Sequence, residues 1–367
     1  MISRILFIAR DSTIPAVFGA GGVATSGLAL GLAENGYQVQ AITKKFPGQT
    51  KSRETIKPNL EVRRFPRYPR FVSGWFWAHE ISRTAISFRP QLIVMRVAEK
   101  NFISDLAPIT RALKSLSIPA AIKVNFVPAR WAKGIEGLLS LARVIICETR
   151  GHKDYLAPAL KEKAIITPNG FDSDVFSYEN TPRQEGNNHY LVMLGTIDKY
   201  RNSLKVIEAF GKSKIKYKLK LRVIGSGPDE QSARNLVERL KISDRVEFLN
   251  KIKHNNIPKL LKDCYAGIVL PHASSMAYTN PLKLFEFLSM GVPVITSPAL
   301  EIVHNFDTRC LRFVKDNTVE ALVDLFDHLN FSNDIAQSCR ETVKVYSWKN
   351  IARSLMVKIN NEIQRTK

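Results

Sequence analysis

Ile5-Leu-Phe-Ile-Ala9 is an apolar run that leads into a loop carrying Gly19, Gly21 and Gly22. Helical spacing follows in Leu28, Leu30, Leu32 and Ala33, stops at Asn35-Gly36, and gives way to Tyr37-Gln-Val-Gln-Ala-Ile42. Strand, glycine loop, helix and strand in that order make one βαβ unit of a parallel sheet. The alternation recurs in Leu92–Met95, a helix around Ile103–Leu116, Ala120–Val124, Val144–Cys147 and Ala164–Thr167. A break comes at Pro168-Asn169-Gly170, with polar sequence up to His189. The pattern then restarts with strands at Tyr190–Gly195, Leu219–Gly225, Val246–Leu249, Ala266–Leu270 and Val294–Thr296, the last core strand expected. Helices fall between them at Ser203–Phe210, Glu230–Leu240, near Ile257–Leu261, and at Asn280–Met290. Two runs of β/α units predict two doubly wound domains, with ligands held outside the carboxyl ends of the strands. The boundaries expected are 1–172, 173–345, and a terminal helix in 346–367 packing back on the amino-terminal domain.

A chain of 367 residues that is 45% apolar and 24% charged can bury two cores and is not a disordered tail. It carries 54 Lys+Arg against 33 Asp+Glu, a formal net charge of +21. The excess lies in both halves, which argues against a terminal basic arm and predicts an anionic partner. Cys147, Cys264, Cys310 and Cys339 are far apart and have neither zinc-site nor disulfide-framework spacing. A reduced cytoplasmic protein is the expectation. Met1–Arg10 lacks the h-region of a signal peptide, and no run approaches the roughly 18 apolar residues of a membrane span.

Three segments could carry chemistry. In Gly19-Ala-Gly-Gly22-Val-Ala-Thr25, glycines at a helix start expose backbone N–H groups that favour an anion. The spacing is not that of a dinucleotide fingerprint, and Lys44 and Lys45 stand where a ribose-binding acid would be, which argues against NAD. A tight turn without ligand is the plainer reading. Gly225-Ser-Gly-Pro228 ends a strand and reads equally as a chain reversal. In Tyr278-Thr-Asn-Pro-Leu-Lys-Leu-Phe-Glu286, Asn280 is an expected N-cap and Pro281 an expected N1. The N–H groups near Thr279, Asn280 and Leu282, with Lys283, then form a second anion site. Glu286 is an odd acid among Leu284, Phe285, Phe287 and Leu288; beside such a site it could accept sugar hydroxyls, although a solvated helix face is the commoner fate.

Taken in order, these segments resemble the GT-B glycosyltransferases of family 4, also called glycosyl transferase group 1, over nearly the whole chain. Ile165-Ile-Thr-Pro-Asn-Gly-Phe-Asp-Ser-Asp-Val-Phe176 resembles the family's domain junction. Gly195-Thr-Ile-Asp-Lys-Tyr-Arg201 has the spacing of its phosphate-binding segment. Leu221–Pro228, Gly291–Ser297 and Tyr346–Ala352 also fit. The resemblance implies two Rossmann-like domains facing across a cleft, and a retaining, metal-independent transfer from a nucleotide-sugar donor with no cofactor. The donor would be UDP- or GDP-linked and the acceptor a glycan or lipid-linked sugar in cell-surface polysaccharide synthesis. It also implies roles residue by residue. Arg201 takes the diphosphate cation position, and Glu286 the second acid of a Glu-x7-Glu pair that holds the ribose. Gly21, Gly22, Gly225, Thr279, Asn280, Leu282 and Lys283 contact the donor. The chain departs from the pattern in three places. Thr196 stands where a second cation is usual, so that Lys199 or Lys283 would have to replace it. Tyr278 stands in place of the first acid, and Asn125 where many members place a His near the sugar. These departures leave open a catalytically silent protein on the same scaffold that binds nucleotide sugar or glycan.

The remaining charge concentrates in residues 44–70, with nine basic and two acidic side chains. Phe65, Tyr68, Phe71, Trp75, Phe76 and Trp77 lie within or just after it. Basic residues beside aromatics suit an anionic membrane surface at the inner face of the plasma membrane. The alternative is a solvated loop whose aromatics pack inward. A second run, Lys212 to Arg222, alternates charged and apolar residues as an exposed strand would. No nucleic-acid module is recognisable, and none is expected as a partner.

Overall fold

The computed structural model describes residues 2–365 except 17–18, 47, 67, 98–102, 125–134, 180–188 and 333. The chain divides into two compact units, one of Met1–Gly170 with Trp348–Lys367 and one of Phe171–Ser347. Each is an α/β unit around one sheet.

The first unit holds eight strands: β1 (Arg4–Ala9), β2 (Gln38–Lys44), β3 (Arg53–Lys57), β4 (Leu60–Phe65), β5 (Leu92–Val97), β6 (Ala120–Val124), β7 (Val144–Cys147) and β8 (Ala164–Ile166). Their order is β3-β4-β2-β1-β5-β6-β7-β8, parallel except that β3 runs antiparallel to β4. Central strands covered on both faces read as continuous apolar runs, which is why β1, β5 and β7 were legible in the sequence. The long helices between these strands are α1 (Ala20–Glu34), α2 (Arg70–Phe88) and α3 (Ile103–Leu116). The terminal helix Trp348–Gln364 lies against α1. Gly27 and Gly31 explain how. A Cβ at Gly27 would collide with the Trp348 indole, and one at Gly31 with the Trp348 carbonyl. Two helix-interior glycines, each costing about 1 kcal/mol of helix propensity, are what allow this close crossing.

The second unit holds β9 (Tyr190–Leu194), β10 (Lys220–Ile224), β11 (Val246–Leu249), β12 (Cys264–Val269), β13 (Val294–Thr296) and β14 (Leu311–Phe313). They form an all-parallel sheet in the order β11-β10-β9-β12-β13-β14. Its two ends are pinned together where the Phe171 N–H donates to the Tyr346 carbonyl at 3.1 Å.

Several expectations need correction. Val294–Thr296 is not the last strand: β14 follows it, and at three residues it is too short to show a period. Residues 53–65 and 70–88 are not a loop but the β3–β4 hairpin and the 19-residue helix α2. Their basic side chains masked the hairpin, because Arg53 and Arg63 pair with Glu61 and Arg64 pairs with Glu54. Lys212–Arg222 is not one strand either. The helix Ser203–Lys212 ends there, a 3₁₀ turn spans Lys214–Tyr217, and β10 starts only at Lys220. The Lys214 N–H donates to the Asp327 carboxylate at 2.6 Å, while the N–H groups of Lys218 and Leu219 donate to the Ile215 carbonyl. Arg222 is not on an exposed face. It is buried, paired with Glu247 at 2.6 Å and Asp263 at 2.7 Å, with its guanidinium 3.6 Å from the Tyr190 ring centroid.

Candidate functional site

In the second unit the predicted residues gather on loops that leave the carboxyl ends of the strands. Gly195, directly after β9, has φ +138°, and Gly225, directly after β10, has φ +137°. A Cβ at Gly225 would collide with the Gly195 carbonyl, so the glycine at 225 is required by the packing of these two loops. The loop after β9 exposes Thr196, and its 3₁₀ turn Lys199–Arg201 is held by the Asp198 carboxylate, which accepts the Arg201 N–H at 3.0 Å. Arg201 is exposed, and its guanidinium lies over Gly195, with Nε 3.5 Å from where a Cβ would stand. Its side chain makes no ion pair among the described residues. Lys199 is also exposed, its ammonium 5.4 Å from the Tyr200 ring centroid. Tyr200 in turn meets the edge of the His272 ring on the loop after β12.

That loop runs on to Thr279, half-buried, and to Asn280, buried. Pro281 is not the first helical residue: with ψ 122° it is extended and takes the cap position, so the helix runs Leu282–Ser289 and Asn280 lies one residue outside the cap. Glu286 is 1% exposed. It is not a solvated face residue: Oε1 lies 2.8 Å from His254 Nε2, and Oε2 accepts from the Lys283 ammonium at 2.8 Å. Burial pushes this carboxyl up, but the Lys283 charge and the His254 hydrogen bond outweigh it and hold the group below the usual carboxylate range. His254 also packs its ring on Phe176, with centroids 4.9 Å apart.

In the first unit, Gly21 and Gly22 occupy the first turn of α1, after Gly19 at φ +84°. The Thr25 hydroxyl donates to the Gly21 carbonyl at 2.7 Å. Beside them stands Arg96 at the end of β5, buried, ion-paired with Asp11 and donating to the Ser12 hydroxyl at 3.1 Å. Its Nη2 is 2.8 Å from where a Cβ of Gly21 would be, so a side chain there would make the guanidinium shift. A second buried pair, Lys123 with Glu148 at 3.3 Å, closes the ends of β6 and β7. Asn125 lies outside the described residues.

Sequence reasoning missed Arg96, Asp11, Lys123, Glu148 and His254. The signal available was a charge at the end of an otherwise apolar strand, as in Leu92-Ile-Val-Met-Arg96 and Ala120-Ala-Ile-Lys123. It also passed over the Asp-x-Asp spacing of Asp172-Ser-Asp174. There Asp172 Oδ1 accepts the N–H groups of Asp174 at 3.0 Å and Val175 at 3.2 Å, and so closes a turn. All four cysteines are buried and none forms a disulfide, and burial pushes the Cys147 thiol up to about 12, which removes it as a nucleophile.

Two α/β units, each built on a parallel-dominated sheet, give the chain the GT-B fold. Residues 177–345 match the family model of glycosyl transferases group 1. Among curated proteins, the chain is 28% identical over 158 residues to the N-acetyl-alpha-D-glucosaminyl L-malate synthase of Bacillus anthracis, covering 42% of this chain and 40% of that one. It is 31% identical over 118 residues to an exopolysaccharide phosphotransferase of Streptomyces coelicolor, covering 30% of this chain and 11% of that protein. The chain thus matches less than half the length of either relative. Among solved structures, the sucrose-phosphate synthase of Thermosynechococcus elongatus shares the fold with a TM-score of 0.75 at 15% identity, with 100% of both chains covered. Among the described residues, no helix is long and apolar enough to cross a membrane.

Proposed function

We propose that the protein is a retaining glycosyltransferase that moves a sugar from a UDP- or GDP-linked donor to a glycan or lipid-linked acceptor in cell-surface polysaccharide synthesis. The observation that carries this reading is Arg201, an exposed cation held over Gly195 at the carboxyl end of β9, within the part of the chain that matches the group 1 family model. A developing diphosphate charge placed there is stabilised by a guanidinium that needs no reorganisation. Lys199 is the cation that replaces the one absent at Thr196, because the Lys283 ammonium is taken up by Glu286. A carboxylate offers about four acceptor positions. His254 and Lys283 use two of them, which leaves Glu286 two for the ribose hydroxyls. Thr279, Asn280 and Leu282 present backbone to the donor.

In the transfer, the bond from the anomeric carbon to the phosphate oxygen breaks, and the acceptor oxygen bonds to the same face. The departing phosphate oxygen takes the acceptor proton, so no protein nucleophile is used. Chemistry of this kind suits the cytoplasm, where nucleotide sugars are the donors.

The test is a panel of UDP-, GDP- and ADP-sugars, read by binding, by slow donor hydrolysis, and by the anomeric configuration of any product. Tight binding of one donor with retained configuration is expected. Failure of every donor to bind would overturn the reading.

A further inference from the structure

The outer face of α2 is not explained by the donor site. Phe76 and Trp77 of α2 pack with Phe65 of β4 and with Tyr68 in one cluster, and Trp77 is buried in the core. Trp75 is left outside at 61% exposure, together with Val72 at 37% and Ile86 at 71%. At 100° and 1.5 Å per residue, Val72, Trp75, His79, Arg83 and Ile86 fall within an arc of about 80° and along about 21 Å of helix. They form one solvent-facing stripe.

Its charge is of a single sign. Arg111 on α3 is exposed and lays its guanidinium 4.8 Å from the Trp75 ring centroid, and Lys114 is exposed one turn further on. The only acid of α2, Glu80, is buried and paired with Arg83 at 2.7 Å. Leu106–Leu116 of α3 contains no acid at all. By contrast, the hairpin of residues 53–65, which the sequence marked as basic, spends much of its charge on Glu54, Glu61 and Glu34.

We infer that the α2–α3 face docks on a bilayer surface containing anionic phospholipid. Trp75, Val72 and Ile86 enter the boundary between headgroups and acyl chains, while Arg111 and Lys114 reach the lipid phosphates. A protein partner of ordinary charge would meet a stripe in which every exposed charged side chain is cationic. An anionic lipid surface complements all of them at once. The inference goes beyond the donor reading and does not depend on it.

The full chain is sedimented with phosphatidylcholine vesicles with and without phosphatidylglycerol, at low and high salt. Partition onto the anionic vesicles, weakened by salt, is expected. The double variant Trp75→Ser/Ile86→Ser and the double variant Arg111→Glu/Lys114→Glu should each lower it about 10-fold or more, whereas Trp75→Phe should retain it. Donor binding, measured on the same preparations, should be unchanged in all variants, so that failure of the docking and failure of the donor reading are told apart. Equal partition onto both vesicle types, or anionic partition that the two double variants leave intact, would overturn the inference. So would a parent dimer that Trp75→Ser dissociates without any vesicle binding, since the face would then be a self-association surface.

Discussion

The Lys283 ammonium lies 2.8 Å from Glu286 Oε2, one turn away on the same helix, and the carboxylate it meets is almost wholly buried. A lysine committed in this way holds a buried charge in place and does not serve as a free cation for a phosphate. Lys283→Met should therefore cost about 3 kcal/mol of stability by leaving Glu286 with one partner, and should change donor affinity less than Arg201→Ala does. Urea denaturation and donor titration on the two variants give the comparison.

Arg201→Ala should behave in the opposite way. The side chain is exposed and makes no ion pair among the described residues, so stability should stay within about 0.5 kcal/mol. Donor affinity should fall roughly tenfold or more, the scale of a lost charge-assisted contact of about 1.5–3 kcal/mol. Calorimetric titration with the donor that the panel selects is the measurement.

The Glu286 carboxyl is held below its ordinary range in the folded protein. A depressed carboxyl contributes stability that is present above the unfolded-state value, about 4.3 for Glu. That contribution is lost as pH falls through the lower folded-state value. The stability gap between the parent and Glu286→Gln should therefore be constant from pH 7 down to about 5 and shrink below about 4. Denaturation midpoints measured across that range test it, and a gap that widens on acidification would contradict the arrangement.

Gly27→Ala places a methyl group where the Trp348 indole stands. Although alanine is the better helix former, the substitution should destabilise the protein by about 1–3 kcal/mol through overpacking. It should also speed proteolysis within the terminal helix Trp348–Gln364. An unchanged urea midpoint would show that the two helices can part without cost.

Arg222→Leu removes the cation shared by Glu247 and Asp263 and should cost about 3 kcal/mol, because Asp263 and Glu247 lose their common partner. Lys220→Ala, at the exposed start of the same strand, should change stability by less than about 0.5 kcal/mol. Denaturation of both variants separates the buried basic residue of β10 from the exposed one.

The sequence was informative where its pattern was forced by burial on both faces. Ile5–Ala9, Val144–Cys147 and Val294–Thr296 read as strands because a parallel strand between two helical layers must be apolar throughout. Charge misled wherever it was neutralised locally. Arg53, Arg63 and Arg64 looked like a surface for lipid, but they pair with Glu54 and Glu61 across a hairpin. Lys212–Arg222 looked like a strand face because alternation was taken for period two, whereas a turn closed on Ile215 breaks it.

By itself the sequence determined the fold, two runs of β/α units with glycines where loops leave the strands, and which of its parts resemble group 1. Those features follow from local hydrophobic period and from backbone conformations that only glycine adopts freely. Tertiary structure alone decided which charges are free. Lys283 is spent on Glu286, Arg96 on Asp11, Arg83 on Glu80 and Arg222 on two acids, while Arg201, Lys199, Arg111 and Lys114 keep theirs. The physical reason is that an ion pair depends on side chains 3 to 85 residues apart meeting within about 3 Å, and no window of sequence contains that distance.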